Sequence, residues 1–311
     1  MFAGVDIGGT NIAAAVGSAD GSILAERSIP TQSHEGPEAV LRRTAALVRE
    51  LASGPVEGAG VGLPGTLDRT AGVVRFLPNL PTNWRGVPAG PLLSAELGAP
   101  VHLLNDARLA TLGELDYGHG RDAADMVMFT LGTGIGGGVV LERRLRLGPI
   151  GAAGEVGHQT IVPDGPLCGC GNRGCLEALA SGPAITGEAV RLMRSGMAPH
   201  LFELADGNAD RVTPKLIGEA SDAAIGVLIA RAAGYLAIAA ANVINLLHPQ
   251  LIVLAGGVSA LGERLLEPMR AEVRRRVGMF PADDVIMKRS MLGDRAGVLG
   301  GIALAARGGR I

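Results

Sequence analysis

Apolar and polar positions fall into blocks along the chain, and one arrangement of blocks occurs twice. Residues 2–7 are apolar enough for a short buried strand, which closes on Asp6-Ile7-Gly8-Gly9-Thr10-Asn11. Residues 12–16 and 23–27 predict two more strands, joined through the hairpin signal Ala19-Asp20-Gly21. Residues 38–51 carry Val40, Thr44, Leu47, Val48 and Leu51 at the spacing of an amphipathic helix. An apolar run at 58–63 ends at Pro64-Gly65, and 73–77 predicts a strand ahead of the proline-bounded loop 78–84. A short helix at 91–97, a strand at 101–104 running into Asn105-Asp106, and a helical pattern at 107–115 complete the first cycle.

The second cycle opens with a strand at 126–131, followed by Gly132-Thr133-Gly134-Ile135-Gly136-Gly137-Gly138. Short strands at 139–141 and 145–147 then turn around Glu142-Arg143-Arg144. Strand, glycine-threonine loop, strand, turn, strand is thus repeated with slight sequence identity, which predicts two similarly built α/β domains. Beyond residue 183 the pattern is mainly helical, at 183–194, 199–205, 213–220 and 222–247. A buried strand at 251–255 runs into Gly256-Gly257-Val258-Ser259, followed by a helix at 262–277, an edge strand at 285–289 and a closing helix at 296–306. With no low-complexity linker, the two domains are expected to meet at a compact hinge.

Composition narrows the function classes. A length of 311 residues suits two domains, and a net charge of −2 gives no reason to expect nucleic acid or an anionic membrane as partner. The most apolar stretch, 232–247, is interrupted by Asn242 and Asn245 and is short for a membrane span. Met1 leads straight into a strand pattern without a basic, then apolar, leader, so a cytoplasmic location is expected. The 48 glycines, about twice the usual share, gather in loops between apolar runs, where backbone can approach a ligand closely.

The chemistry concentrates in 154–177. This stretch holds all three cysteines, Cys168, Cys170 and Cys175, with His158 upstream and Glu155 and Glu177 on either side. Three thiolates and an imidazole at this spacing fit a tetrahedral Zn²⁺ site, the alternative being small buried hydrophobes. An odd, clustered cysteine count argues against a disulfide framework. Gly8-Gly9-Thr10 and the loop beginning Gly132-Thr133-Gly134 read either as structural turns or as phosphate contacts. With Asp6 able to hold Mg²⁺ through water, the two loops together suit a nucleotide-binding cleft between the domains. Asn105-Asp106 suits a helix N-cap, and equally a ligand site at a strand end, where Asp106 could take a proton from an attacking hydroxyl. Glu155, His158 and Glu177 are either supports of the metal loop or acceptors for a polyhydroxylated ligand. Asn79 and Asn83 are turn formers or ligand contacts, Asn83 reading rather as a turn former.

In order along the chain, Asp-x-Gly-Gly-Thr, Pro-Asn-Leu-Pro, Asn-Asp-Ala, Gly-Thr-Gly-Ile-Gly-Gly-Gly, Gly-Glu-x-Gly-His, Cys-x-Cys-Gly-x-x-Gly-Cys-x-Glu and Gly-Gly-Val-Ser resemble the ROK family of sugar kinases and repressors. The likeness is greatest to its glucokinases and covers essentially the whole chain. It implies an actin-like, hexokinase-type α/β fold: an N-terminal domain, 1–116, rejoined by the closing helix 295–308, and a larger domain, 117–294, with the zinc-binding loop. It also implies ATP- and Mg²⁺-dependent phosphorylation of a hexose, at the 6-hydroxyl in glucokinases. By the same resemblance Asp106 is the general base, and Gly65, Asn79, Asn105, Glu155, His158 and Glu177 line the sugar site. His158, Cys168, Cys170 and Cys175 ligate a structural zinc. Phosphates fall to Asp6, Gly8, Gly9, Thr10 and Asn11 and to Thr133, Gly134, Gly136 and Gly137, and the adenosine end to Gly256, Gly257 and Val258. A homodimer or homotetramer is the family expectation. Arg108 stands where the family usually has asparagine, and Leu109 and Thr111 replace small residues, departures that bear on substrate preference. Mannose, fructose or N-acetylmannosamine could use the same acceptors, polyphosphate could replace ATP, and a non-catalytic sugar-binding regulator is the competing class. Only five residues precede Asp6, so the helix-turn-helix that the family's repressors carry there is not expected.

Overall fold

The structure, a computed structural model of the chain, describes residues 1–77 and 80–311; the expected sugar contact Asn79 lies outside the described residues. The first sheet starts as an antiparallel meander of β1 (Phe2–Ile7), β2 (Asn11–Gly17) and β3 (Ile23–Pro30). Helix α1 (Pro37–Leu51) leads to β4 (Gly58–Leu63), which pairs parallel to β1. After the separate hairpin of β5 (Thr66–Asp68) and β6 (Val73–Phe76), α2 (Ala89–Leu97) precedes β7 (Val101–Asn105), parallel to β4. Helix α3 (Asp106–Tyr117) follows without a break.

The plan then repeats. Strands β8 (Met126–Leu131), β9 (Ile135–Leu141) and β10 (Arg144–Arg146) open the second sheet. A helical stretch follows: α4 (Leu176–Ala180), α5 (Gly182–Arg194), α6 (Pro199–Leu204), α7 (Pro214–Glu219) and α8 (Ala223–Leu247). Strand β11 (Leu251–Ala255) pairs parallel to β8, and after α9 (Glu263–Arg276) the edge strand β12 (Ile286–Arg289) pairs parallel to β11. Helix α10 (Ala296–Ala306) closes the chain. The sheet orders are β3-β2-β1-β4-β7 and β10-β9-β8-β11-β12, one topology used twice, as the repeated pattern and the actin-like fold class require.

By its contacts the chain forms two compact units, residues 1–124, 138–154 and 290–311 in one and 125–137 and 155–289 in the other. In the first, helices cover both faces of the sheet, because alternate residues of a strand point to opposite sides. Ala14 and Val16 join the core made with Val40, Leu47 and Val48 of α1, while Ala15 packs with Val298, Leu299 and Ile302 of α10. Backbone meets backbone under α10: a β-carbon on Gly60 would lie 2.1 Å from the carbonyl oxygen of Gly301. In the second unit, β8 and β11 read as continuous apolar runs because they are buried on both faces. Helix α8 is long and apolar enough to cross a membrane by length and composition, yet half of its most apolar window is buried inside the fold.

Two local differences from the sequence pattern have physical causes. Gly136, Gly137 and Gly138, expected in a loop, belong to β9, so the loop itself contracts to 132–134. Gly138 answers to crowding, since a β-carbon there would lie 2.3 Å from Thr111 Oγ1. The short helix α4, absent from the pattern, buries Leu176 and Ala180 and puts Glu177 in its first turn.

Candidate active site and metal centre

In the first unit, strand register gathers residues a hundred positions apart. Asp6 stands opposite Gly62 and Leu63 opposite Asn105, so β1, β4 and β7 end together. These carboxyl ends are where ligands of α/β sheets bind. Gly62 is the gap over which the two acids approach: a β-carbon there would be 3.3 Å from Asp6 Oδ1 and 3.5 Å from Asp106 Cα. Burial, and after it the charge of Asp106, pushes the Asp6 carboxyl up to about 7. Asp106 is the first residue of α3 and its Oδ1 accepts the Ala107 N–H at 2.8 Å.

Asn105 makes the N-cap that its residue type allows. Its Oδ1 caps α3 by accepting from the amides of Ala107 (3.1 Å) and Arg108 (3.3 Å), and its Nδ2 donates to the Gly65 carbonyl at 3.2 Å. It does so at the same strand end that carries Asp106. Gly65 has φ 86° and no room for a β-carbon, which would meet the Phe76 carbonyl oxygen at 2.1 Å. Between β1 and β2, Gly8 N–H closes onto the Asn11 carbonyl (2.9 Å) and Thr31 Oγ1 holds the Gly8 carbonyl (2.7 Å), leaving Gly9, Thr10 and Asn11 exposed at the turn.

The second unit holds the cysteine segment. The ligand atoms of His158, Cys168, Cys170 and Cys175 all lie within 4.8 Å of one another. Cys170 Sγ is 3.8 Å from Cys175 Sγ, and Cys168 Sγ is 3.7 Å from His158 Nδ1. A tetrahedral Zn²⁺ with bonds of about 2.3 Å to sulfur sets ligand atoms about 3.8 Å apart, so the residues fit the ion. Backbone pairing builds the cage: Thr160 bridges Cys175, and Cys168 N–H donates to the Asn172 carbonyl at 2.8 Å. Burial pushes the Cys168 and Cys175 thiols up, Cys168 to about 12, whereas a backbone amide at Asn172 lowers Cys170. A divalent cation at their centre would hold all three as thiolates.

Two carboxylates flank the cage in different ways. His158 turns Nδ1 toward Cys168 and Nε2 toward Glu155, whose Oε2 is 3.9 Å away. Metal at Nδ1 would fix the tautomer with its proton on Nε2. Glu177 faces inward: Oε2 accepts the Ile135 N–H at 2.9 Å, and Oε1 lies 3.6 Å from Cys168 Sγ. It therefore couples the cysteine segment to the start of β9, a role that its spacing in the sequence did not reveal. Gly132 N–H closes onto the Gly134 carbonyl at 2.9 Å, with Thr133 exposed and Gly136 and Gly137 in the strand. Gly256, at φ 83°, would place a β-carbon 2.6 Å from the Leu131 carbonyl oxygen, so the turn of Gly256, Gly257 and Val258 lies beside that loop.

Sequence reasoning also missed the depth of Arg108. Its side chain is 1% exposed and its guanidinium bonds Asn105 Oδ1 and the Ala153 carbonyl. The available signal was an arginine in the apolar helix that starts directly after Asn105-Asp106.

The sequence pattern that defines the ROK family matches residues 2–307. The chain belongs to the ROK family. Among ROK relatives, the glucokinase of Thermotoga maritima is 37% identical over 309 residues, 97% of this chain and 96% of its own. The xylose repressor of Caldicellulosiruptor bescii is 30% identical over 310 residues, 97% of this chain and 77% of the repressor. A ROK glucokinase from Streptomyces griseus, solved in complex with glucose and AMPPNP, superposes with a TM-score of 0.87 at 35% identity, covering 98% of this chain and 99% of that one.

Proposed function

We propose that this ROK protein is a hexose kinase that moves the γ-phosphoryl group of ATP to the 6-hydroxyl of glucose. The observation that carries the reading is Asp106, fixed by its own helix N-terminus at the shared end of β1, β4 and β7 and flanked by Asn105. An ionised carboxylate in that place can take the proton of the attacking hydroxyl. The likeness to glucokinases, one of them solved with glucose and AMPPNP, supports both the sugar and the donor.

The chain's residues divide the work. Asn105 and Gly65, with Glu155 and His158, would hold hydroxyls, and so would Glu177 with whatever acceptor capacity its bond to Ile135 leaves. The exposed turn of Gly9, Thr10 and Asn11, and that of Thr133 and Gly134, would meet the phosphates, and Gly256, Gly257 and Val258 the adenosine end. Mg²⁺ bound with the nucleotide would neutralise charge on the phosphates, with Asp6 holding it through water. Zn²⁺ in the Cys₃His cage would have all four positions filled by protein, which makes it structural and leaves no place for a reacting water.

A coupled assay of ADP release with glucose, mannose, fructose and N-acetylmannosamine tests the proposal, with polyphosphate as a second donor. Glucose with ATP is expected to give the highest kcat/KM. A different preferred hexose would correct the substrate. Hexose binding without turnover of any sugar would replace the kinase with a sugar-binding regulator.

A further inference from the structure

Arg108 is the largest charged side chain buried in the described residues, and it sits in the first turn of the helix that carries Asp106. Its Nε and Nη2 both donate to the Ala153 carbonyl, at 3.1 and 2.9 Å, and its Nη1 donates to Asn105 Oδ1 at 2.8 Å. That carboxamide oxygen already accepts the amides of Ala107 and Arg108. An amide oxygen has two lone pairs, which the backbone amides already engage, and Arg108 adds a third, charged donor that locks the group in this orientation. The Asn105 side chain is left with hydrogens on Nδ2, one of them given to Gly65.

We infer that Arg108 is a positioning residue for sugar selectivity, which locks the capping amide of Asn105 so that its Nδ2 is presented as a donor of fixed orientation. A ligand hydroxyl beside the reacting one must then accept from Asn105 and send its own proton elsewhere. The clasp on Ala153 acts in the same direction. It holds the backbone two residues ahead of Glu155, so the end of the 138–154 segment cannot drift from the cap of α3. The inference rests on the hexose-kinase reading and adds the residue that sets which hydroxyl pattern is recognised.

The test is a cycle between residue and substrate. KM and kcat are measured for glucose and for 2-, 3- and 4-deoxyglucose and 1,5-anhydroglucitol, using full-length wild type, Arg108→Met and Arg108→Lys. Methionine keeps roughly the buried volume without donors, and lysine keeps the charge without the fork. Wild type is expected to lose about tenfold in KM at one deoxy position, the size of a well-made hydrogen bond between substrate and protein. In Arg108→Met the glucose KM rises about tenfold, and the same deoxy position then costs less than twofold more. Penalties elsewhere persist, kcat stays within about threefold, and lysine falls between. Equal penalties at every position in wild type and Arg108→Met overturn the inference. So does a uniform fall in kcat that tracks a loss of folded protein, which a structural role alone would give. Should methionine not fold, the lysine variant carries the same comparison. Calorimetric binding of the same sugars separates the two readings. Selectivity that depends on Arg108 without turnover removes the kinase and keeps the positioning role, whereas turnover with Arg108-independent selectivity does the reverse.

Discussion

Replacing Asp106 with asparagine isolates one proton transfer from everything else the residue does. The amide retains an oxygen for the Ala107 N–H, now met by Oδ1 at 2.8 Å, so the first turn of α3 keeps its bond. The cap at Asn105 is made by other atoms and stays in place. Loss of the Asp106 charge also relieves the repulsion that helps to raise Asp6. Stability should therefore change by less than about 1 kcal/mol, the net worth of one hydrogen bond. Chemistry should suffer far more. A positioned general base supplies about 10²- to 10⁴-fold in rate, or roughly 3–5.5 kcal/mol of barrier at about 1.4 kcal/mol per tenfold. The assay is coupled ADP release with glucose, on protein from a host lacking its own hexose kinases, alongside calorimetric glucose binding. The expected outcome is kcat down by two to four decades with glucose Kd within threefold. A kcat within tenfold of wild type would refute the assignment of the base, and a collapse of Kd would show that Asp106 binds sugar more than it moves a proton.

Three further outcomes follow from the same structure. Asp6, at about 7 when folded against 3.8 ordinarily, keeps a proton that the unfolded chain has released, so it favours the fold fully below pH 4 and not at all above pH 7. In Mg²⁺-free protein, Asp6→Asn should gain on wild type by roughly 3 kcal/mol between pH 5 and 8, read by emission of the buried Trp84; parallel stability curves would contradict the shift. Cys170→Ala should lose bound zinc by elemental analysis and weaken glucose binding, and loss of metal with unchanged glucose KM would show that the cage does not support the sugar site. Gly301→Ala should cost about 2–3 kcal/mol, because its β-carbon would meet the Gly60 carbonyl oxygen at 2.5 Å; a melting point within 2 °C of wild type would mean that α10 can shift freely.

What could be read from the sequence was what lies close together along it. The cysteine cage closes within eighteen residues, so its spacing carried the geometry, and the repeated strand-loop-strand pattern carried the two matching sheets. Contacts between distant positions were out of reach. Asp6 and Asp106 meet only through the parallel register of β1, β4 and β7, and Arg108 finds its carbonyl partner 45 residues later. Glycine runs were ambiguous for another reason. Absence of a β-carbon serves a ligand-facing loop and a crowded strand equally well, and Gly138 shows the second case, packed against Thr111 within β9. Asn105 shows why a capping role need not exclude a functional one, since its cap uses Oδ1 and leaves the Nδ2 hydrogens for other partners.

The return of α10 to the first sheet sets an order of assembly. Residues 155–289 of the second unit are contiguous, whereas the first is stitched from 1–124, 138–154 and 290–311. A chain emerging from the ribosome makes β1, β4 and α3 early but must wait for the last two dozen residues before the Gly60 and Gly113 backbones are covered. The half of the protein that carries Asp106 is thus begun first and finished last, and one face of its sheet stays uncovered throughout synthesis of the other half.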